Sequence, residues 1–113
     1  MPSDMRAPET SAKVRTRFDA LAESLAPQGV VVSRMFGMPS LQANGTAIAG
    51  LWGDALVVKL PPASVQAAME LQGVGLFDPM GGRPMKEWVV VPRTHARRWA
   101  ELAETALAYV GGG

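Results

Sequence analysis

Cysteine is absent from this chain of 113 residues. Its absence excludes disulfides, thiolate metal ligands and thiol nucleophiles, and it is typical of proteins from a reducing compartment. Long apolar runs are missing as well, since none approaches the roughly 20 residues that a helix needs to cross a bilayer. The polar opening stretch MPSDMRAPET lacks the apolar segment of a signal peptide. We therefore expect a cytoplasmic protein with no membrane partner.

The chain also lacks a marked excess of charge of either sign. The chain has eleven Lys and Arg residues and ten Asp and Glu residues, so its net charge is +1. Proteins that bind nucleic acid usually carry a basic stripe, because contacts to phosphates supply most of the affinity. No basic half or basic tail is visible in the sequence, so direct binding to nucleic acid is disfavoured.

Residues that could carry catalysis are few and poorly placed. His95 is the only histidine, and a histidine base would need a partner such as Asp78 or Glu87 within reach. No group of Asp, Glu and His has the spacing of a zinc or magnesium site. The stretch GVG at residues 73–75 begins a nucleotide-binding pattern, but Asp78 stands where its third glycine should fall. The sequence therefore predicts a non-enzymatic protein without cofactor or metal.

Apolar residues make up 48% of the chain, enough for the core of a single domain. Apolar positions on one face of a 3.6-residue period predict a first helix that begins at Thr10 or Ser11. These positions are Val14, Phe18, Leu21 and Leu25. Residues 30–60 are rich in β-branched residues and predict strands. The dipeptides NG at 44–45 and GD at 53–54 are typical of tight turns, so these strands must run antiparallel.

The second half of the chain continues the pattern. A short helix is predicted over residues 63–71, followed by a short edge strand VGLF, the loop DPMGGRP, the strand KEWVVV and a last helix over about 94–110. This order predicts an α+β domain of two layers, in which an antiparallel sheet of about five strands packs against three helices (α-β-β-β-β-α-β-β-α). Its expected limits are residues 9–110, between a flexible lead over 1–8 and a disordered glycine tail over 111–113.

Three stretches carry a family resemblance: RMFG at residues 34–37, AIAGLWGDALVVKL at 47–60 and RPMKEWVVVP at 83–92. In this order they resemble the N-terminal domain of the TfoX/Sxy family, over roughly residues 11–110. The resemblance implies an α+β fold of the secretion-chaperone type. It also implies a link to natural competence in bacteria, where full-length members act as co-activators with the cyclic-AMP receptor protein. Full-length members carry a further C-terminal helical domain, so we expect a stand-alone N-terminal domain.

The corner after the first strand and the loop with its following strand combine Arg or Lys with Met, aromatic, Gly and Pro residues. They form the candidate working surface. The surface consists of Arg34, Met35, Phe36, Gly37, Met38, Arg83, Met85, Lys86 and Trp88. The main hypothesis is a small regulatory domain that contacts an unidentified protein partner through this surface. The alternative is a small-ligand-binding module, in which the Met-Phe-Gly corner and the 78–88 loop line a pocket.

The sequence leaves two questions undecided, namely the burial of Trp88 and the oligomeric state. Strand alternation places Trp88 on one face with Lys86 and Val90, and either face of that strand could be the buried one. An exposed Trp88 would be a hot spot for protein binding, whereas a buried Trp88 would anchor the core. An open antiparallel sheet also leaves unpaired edges, so homodimerisation through a strand or a sheet face is compatible with the sequence.

Overall fold

A computed structural model describes residues 8–35, 37–79 and 81–111 of the chain. Within these residues the chain forms three α-helices and six β-strands in the predicted order, so the α+β class is confirmed, with six strands rather than about five. The helices are α1 (Ala12–Leu25), α2 (Pro62–Met69) and α3 (Trp99–Gly111). The strands are β1 (Val30–Met35), β2 (Met38–Ala43), β3 (Thr46–Trp52), β4 (Ala55–Lys59), β5 (Gly75–Phe77) and β6 (Met85–Pro92). Short 3₁₀ segments at Ala26–Gln28 and Arg93–Arg98 precede β1 and α3.

The strands form one antiparallel sheet with the order β1-β2-β3-β4-β6-β5. Strands β1 to β4 follow one another as hairpins, because tight turns connect them. In the turn between β2 and β3, Asn44 and Gly45 have φ of 53° and 79°, the left-handed values that a type I′ turn needs. Strand β6 then pairs with the free side of β4, and β5 pairs with β6 at the edge of the sheet.

The start of α1 is tied to the turn between β3 and β4. Ser11 is the N-cap of the helix, and its hydroxyl accepts a hydrogen bond from the N–H of Val14 at 3.3 Å. The N–H of Ser11 donates to Oδ1 of Asp54 at 2.7 Å, and the hydroxyl of Thr10 donates to the carbonyl of Gly53 at 2.7 Å. These bonds explain why the helix begins where the sequence predicts, and they fix its start against the sheet.

The ends of the domain differ in detail from the predicted limits. The expected lead over residues 1–8 lies outside the described residues except for Pro8, which packs beside Gly53. Gly111, expected in the glycine tail, is instead the last residue of α3. Residues 112–113, the rest of the expected tail, lie outside the described part of the chain.

The last α-helix begins at Trp99 instead of residue 94, because the segment before it is a 3₁₀ helix with a break. His95 within this segment has φ of −109° and ψ of 26°, outside helical values. Its Nε2 lies 2.8 Å from the carbonyl oxygen of Gln72, and since a carbonyl can only accept, Nε2 carries the hydrogen. This long-range hydrogen bond lies at the break, and helical periodicity alone does not reveal it.

The largest apolar core lies between the helices and one face of the sheet, which we name the helix-covered face. From α1 it contains all four residues that periodicity predicted: Val14, Phe18, Leu21 and Leu25. From α3 it contains Trp99, Ala103 and Ala106, and from the strands mainly Leu, Ile and Val residues. Burial of this apolar surface is the main favourable term in folding, so it holds the two layers together.

An irregularity between β2 and β3 adds to this core. Leu41 pairs with Ala49 and Gln42 pairs with Ala47, so Ile48 is an extra residue in β3. Such a bulge interrupts the alternation of side chains along the strand. Ile48 and Ala49 consequently both belong to the core on the helix-covered face, although they are neighbours in sequence.

The opposite face of the sheet, which we name the helix-free face, carries a second apolar cluster. Its buried members are Met38, Val57, Phe77 and Trp88. The half-buried residues packed against them are Met35, Ala47, Trp52, Met85 and Val90. All of these residues lie in strands, and within the described residues no helix contributes to the cluster. The sheet therefore has two apolar faces, of which the helices cover one.

Candidate functional site

The predicted corner is a tight turn between β1 and β2. Met35 pairs with Met38 across it, and Gly37 has φ of 76°, a left-handed value that glycine adopts without strain. Nη2 of Arg34 donates a hydrogen bond to the carbonyl of Gly37 at 3.1 Å, so an exposed arginine braces the turn. Phe36, the remaining residue of the corner, lies outside the described residues.

Two residues of the predicted surface belong to the core. Met38 is 0% exposed and Trp88 is 8% exposed, because both side chains pack into the cluster of the helix-free face. The prediction that Met38 and Trp88 contact a partner or a ligand is therefore corrected. Both side chains lie in the interior, within the apolar cluster. Trp88 is therefore a buried residue. Strand alternation directs its side chain, together with that of Val90, to the face of the sheet that the helices do not cover.

The burial of Met38 depends on a glycine in the neighbouring strand. A Cβ placed on Gly50 would lie 2.8 Å from Cε of Met38 and 3.0 Å from the carbonyl oxygen of Pro39. Carbon atoms in contact are normally separated by about 3.5–4.0 Å, so the first distance is a clash. The thioether of Met38 thus occupies the space that a side chain at position 50 would need.

The loop between β5 and β6 is organised by Asp78. Its carboxylate oxygens accept hydrogen bonds from the N–H groups of Gly82 and Arg83, at 2.9 and 3.2 Å. Its carbonyl accepts from the N–H of Gly81 at 3.3 Å. Gly81 and Gly82 have φ of 70° and 108°, which lets the chain fold around the carboxylate. Asp78 therefore shapes the loop that presents the exposed Arg83.

The structure brings the corner and the strand after the loop together on the helix-free face. Met35 and Met38 from the corner belong to the same cluster as Met85 and Trp88 from β6. Three strands separate β1 from β6 in the sheet, and residues of all three belong to the cluster, so it extends across the helix-free face.

Exposed cations lie close in sequence to two members of this cluster, Met35 and Met85. Arg34, Arg83 and Lys86 are exposed, while Met35 and Met85 are half-buried. Together with the exposed Gly37, these five residues are the described part of the predicted surface that a partner can reach. Trp52 adds a half-buried aromatic ring to the same face. Sequence reasoning did not single out Trp52, although a tryptophan at the end of a strand, next to a glycine turn, is a usable signal.

The groups considered for catalysis have separate structural partners. His95 contacts the carbonyl of Gln72, Asp78 binds N–H groups of its own loop, and Glu87 binds the hydroxyl of Tyr109. No hydrogen bond or ion pair joins His95 to Asp78 or Glu87 in the described part of the chain. Over the same residues, no three His, Asp or Glu side chains form a group that could hold a metal ion.

Glu87 links β6 to the end of α3. The hydroxyl of Tyr109 donates to Oε2 of Glu87 at 2.8 Å, and Nζ of Lys59 lies 3.7 Å from Oε1. The hydrogen bond to Glu87 raises the pKa of Tyr109 above its ordinary value of 10.0. Partial removal of the phenol from water and the negative charge of Glu87 act in the same direction.

A groove that sequence reasoning missed runs between α1 and the 3₁₀ segment before α3. It has a larger cavity of about 780 Å³ and an inner cavity of about 260 Å³. Arg17, Ala20 and Ala96 line both cavities, so the groove is continuous. Its basic lining residues are Lys13, Arg17, Arg93 and Arg97. A spacing of four residues between the two cations on each segment is the signal that could have identified it.

No family model, curated protein or solved structure matches this chain. Over the residues that the structure describes, no helix combines the length and the apolar character needed to span a membrane.

Proposed function

We propose that this chain is a small cytoplasmic interaction domain of the TfoX N-terminal type, which acts by protein–protein contact in transcription regulation. The observation that carries the proposal is the helix-free face, where an apolar cluster extends across the strands and the exposed Arg34 and Lys86 adjoin its members Met35 and Met85 in sequence. The three stretches that resemble the family contribute to this same face. They form the corner, strands β3 and β4, and strand β6.

The accessible part of the helix-free face has the composition of a protein interface. Aromatic residues, Met and Arg are enriched at interfaces relative to the rest of a protein surface. Met35, Trp52 and Met85 supply half-buried apolar contact area, and Arg34 and Lys86 supply charge at the margin. A partner for this face would present apolar side chains bordered by Asp or Glu, because complementary charge sets orientation and specificity.

The alternative function, a ligand pocket formed by the corner and the 78–88 loop, has less support. Met38 and Trp88, two of its expected lining residues, are packed in the core. Asp78, which could have supplied a polar contact, is engaged by N–H groups of its own loop. A ligand at this place would have to displace a large buried side chain, which costs its burial free energy.

The edges of the sheet support a second mode of contact, which is pairing between two copies of the chain. At one edge, β5 has three residues and a register shift, features that hinder pairing with another strand. At the other edge, β1 has six residues and leaves Val31 and Val32 exposed to 58% and 54%. We propose β1 as the edge of a homodimer, in which two β1 strands pair antiparallel about a twofold axis.

Affinity capture from native lysate tests the contact through the helix-free face. Arg34→Glu combined with Lys86→Glu reverses two exposed charges beside the cluster and leaves the core intact. The control, Arg15→Glu combined with Arg98→Glu, makes the same change in net charge on exposed residues of α1 and the 3₁₀ segment. Loss of a captured protein with the first variant and its retention with the control support the proposal. Equal capture by both variants and the unchanged chain contradicts it.

A further inference from the structure

Among the described residues, four basic side chains and no acidic one line the groove between α1 and the 3₁₀ segment Arg93–Arg98. We propose that this groove binds a small organic anion that carries phosphate groups. The site belongs to the helix layer and shares no residue with the helix-free face. A failure of this proposed site would therefore leave the proposed protein contact unaffected, and the reverse also holds.

The cations approach the groove from both walls. Lys13 and Arg17 are four residues apart on α1, so their side chains share one face of that helix. Arg93 and Arg97 have the same spacing on the opposite wall. In a chain whose net charge is only +1, four positive charges around one concavity make a local positive field. Such a field attracts anions and makes the free energy of anion binding more favourable.

Most of this positive charge is unpaired. Nη1 of Arg93 lies 3.4 Å from Oδ2 of Asp54, which is its ion pair. Within the described residues, the side chains of Lys13, Arg17 and Arg97 form no ion pair and no hydrogen bond. Three donors are thus free to bind phosphate oxygens, and Arg can do so with two parallel hydrogen bonds.

A buried donor without an acceptor belongs to a residue that lines the groove. Trp99 lines the inner cavity and is 1% exposed, yet its indole N–H has no hydrogen-bond acceptor among the described residues. Buried donors in native proteins almost always have an acceptor, from the protein, from water or from a ligand. The nitrogen has less than 1 Å² of accessible surface, so the indole ring must turn toward the groove before an oxygen of the bound anion can accept from this N–H group.

The shape of the groove favours a small molecule over a nucleic acid. Its larger cavity of about 780 Å³ lies in the range of about 300–1,000 Å³ that is typical of small-molecule sites. Val14, Ala20 and Ala96 offer apolar contact to the body of a ligand, and Thr16 and Thr94 offer hydroxyls. A nucleic-acid surface would extend its cations along a stripe, whereas these converge on one concavity.

Calorimetric titration with ATP and with inorganic tripolyphosphate tests the site. We expect both probes to bind, with ATP binding more tightly because its nucleoside reaches the apolar wall. Arg17→Gln combined with Arg97→Gln should weaken binding by at least about tenfold, because two charge-assisted hydrogen bonds are lost. In amide correlation spectra, the assigned indole N–H resonance of Trp99 should shift when the groove is saturated with ATP.

The matched control is Arg15→Gln combined with Arg98→Gln. It removes the same charge from the same two segments, but Arg15 is paired with Asp19 at 3.1 Å and neither residue lines the groove. We expect its affinity for ATP to stay close to that of the unchanged chain. Three results would overturn the proposal: no binding of either probe at millimolar concentration, equal weakening in both variants, or tighter binding of a short DNA duplex than of ATP.

Discussion

The ring of Trp52, at the end of β3, meets the ring of Phe77, in the edge strand β5, edge to face with their centroids 5.2 Å apart and their planes at 73°. Strands β4 and β6 lie between β3 and β5, and neighbouring strands are separated by about 4.8 Å. The two aromatic side chains therefore reach toward each other across the intervening strands on the helix-free face. Met38 and Trp88 are buried in the same apolar cluster as these rings.

Met38 should therefore behave as a core residue. Met38→Ala is expected to lower the free energy of unfolding by about 2–5 kcal/mol, since it deletes a fully buried side chain and leaves a cavity. Met69→Ala is the matched control, because Met69 is 42% exposed and its loss should cost less than about 1 kcal/mol. Urea denaturation measures both values. Equally small losses of unfolding free energy in the two variants would contradict the burial of Met38.

Gly50 should be coupled to Met38. Gly50→Ala is expected to cost about 1–3 kcal/mol of stability, because its new Cβ would clash with Cε of Met38. Gly75→Ala in β5 is the control, since no atom lies within 4 Å of its Cβ position. In the Met38→Ala background the cost of Gly50→Ala should fall, although the carbonyl of Pro39 remains close. Strictly additive costs in this double-mutant cycle would show that Met38 does not exclude a side chain at position 50.

Tyr109 is the only tyrosine of the chain, so ultraviolet absorbance follows its ionisation directly. Its pKa should lie above the ordinary value of 10.0, because the hydrogen bond to Glu87 favours the protonated phenol. Since the pKa is raised in the folded state, the contact stabilises the fold below the unfolded-state pKa of about 10 and this contribution is lost as pH rises through the folded-state pKa. Glu87→Gln should move the midpoint toward the ordinary value. An unchanged midpoint would contradict the assigned cause.

Pairing of β1 strands should produce a dimer that depends on protein concentration. Val32→Lys is expected to reduce the dimer fraction in sedimentation velocity experiments, because a charge on an edge strand opposes pairing. Met69→Lys is the control, since it places the same charge on another exposed apolar residue, on α2. A chain that stays monomeric at every concentration, or equal effects of the two substitutions, would exclude β1 as the dimer edge.

The elements of the fold could be predicted because their signals are local. The spacing of Val14, Phe18, Leu21 and Leu25 defined the buried side of α1. The Asn44-Gly45 pair defined a hairpin, because both residues adopt positive φ. Once the turns between consecutive strands were known to be tight, an antiparallel sheet was the consequence.

The burial of Trp88 could not be predicted, because alternation is symmetric in a strand with two apolar faces. Val89 and Val91 pack toward the helices, while Trp88 and Val90 pack on the other side. Sequence separates the two sets without showing that both are buried. That outcome depends on which side chains of the other strands pack against Trp88, which is a long-range property.

The basic groove could not be predicted either, because it forms only when distant segments of the chain pack together. Its cations come from two segments near opposite ends of the chain, and acidic residues on other surfaces cancel them in the net charge. The 3₁₀ segment that forms one wall contains the break at His95, whose Nε2 contacts the distant carbonyl of Gln72. Only the packing of α1 against the 3₁₀ segment brings the cations together.

The proposed protein contact is tested most directly by site-specific photocrosslinking in cells, with benzoylphenylalanine replacing Lys86 or, as the control, Arg98. Both residues are exposed, but Lys86 lies beside the cluster of the helix-free face and Arg98 lies in the helix layer. We predict an adduct with a partner protein from position 86, weakened by Arg34→Glu, and none from position 98. An adduct from position 98 together with none from position 86 would contradict the assignment of the helix-free face as the binding surface.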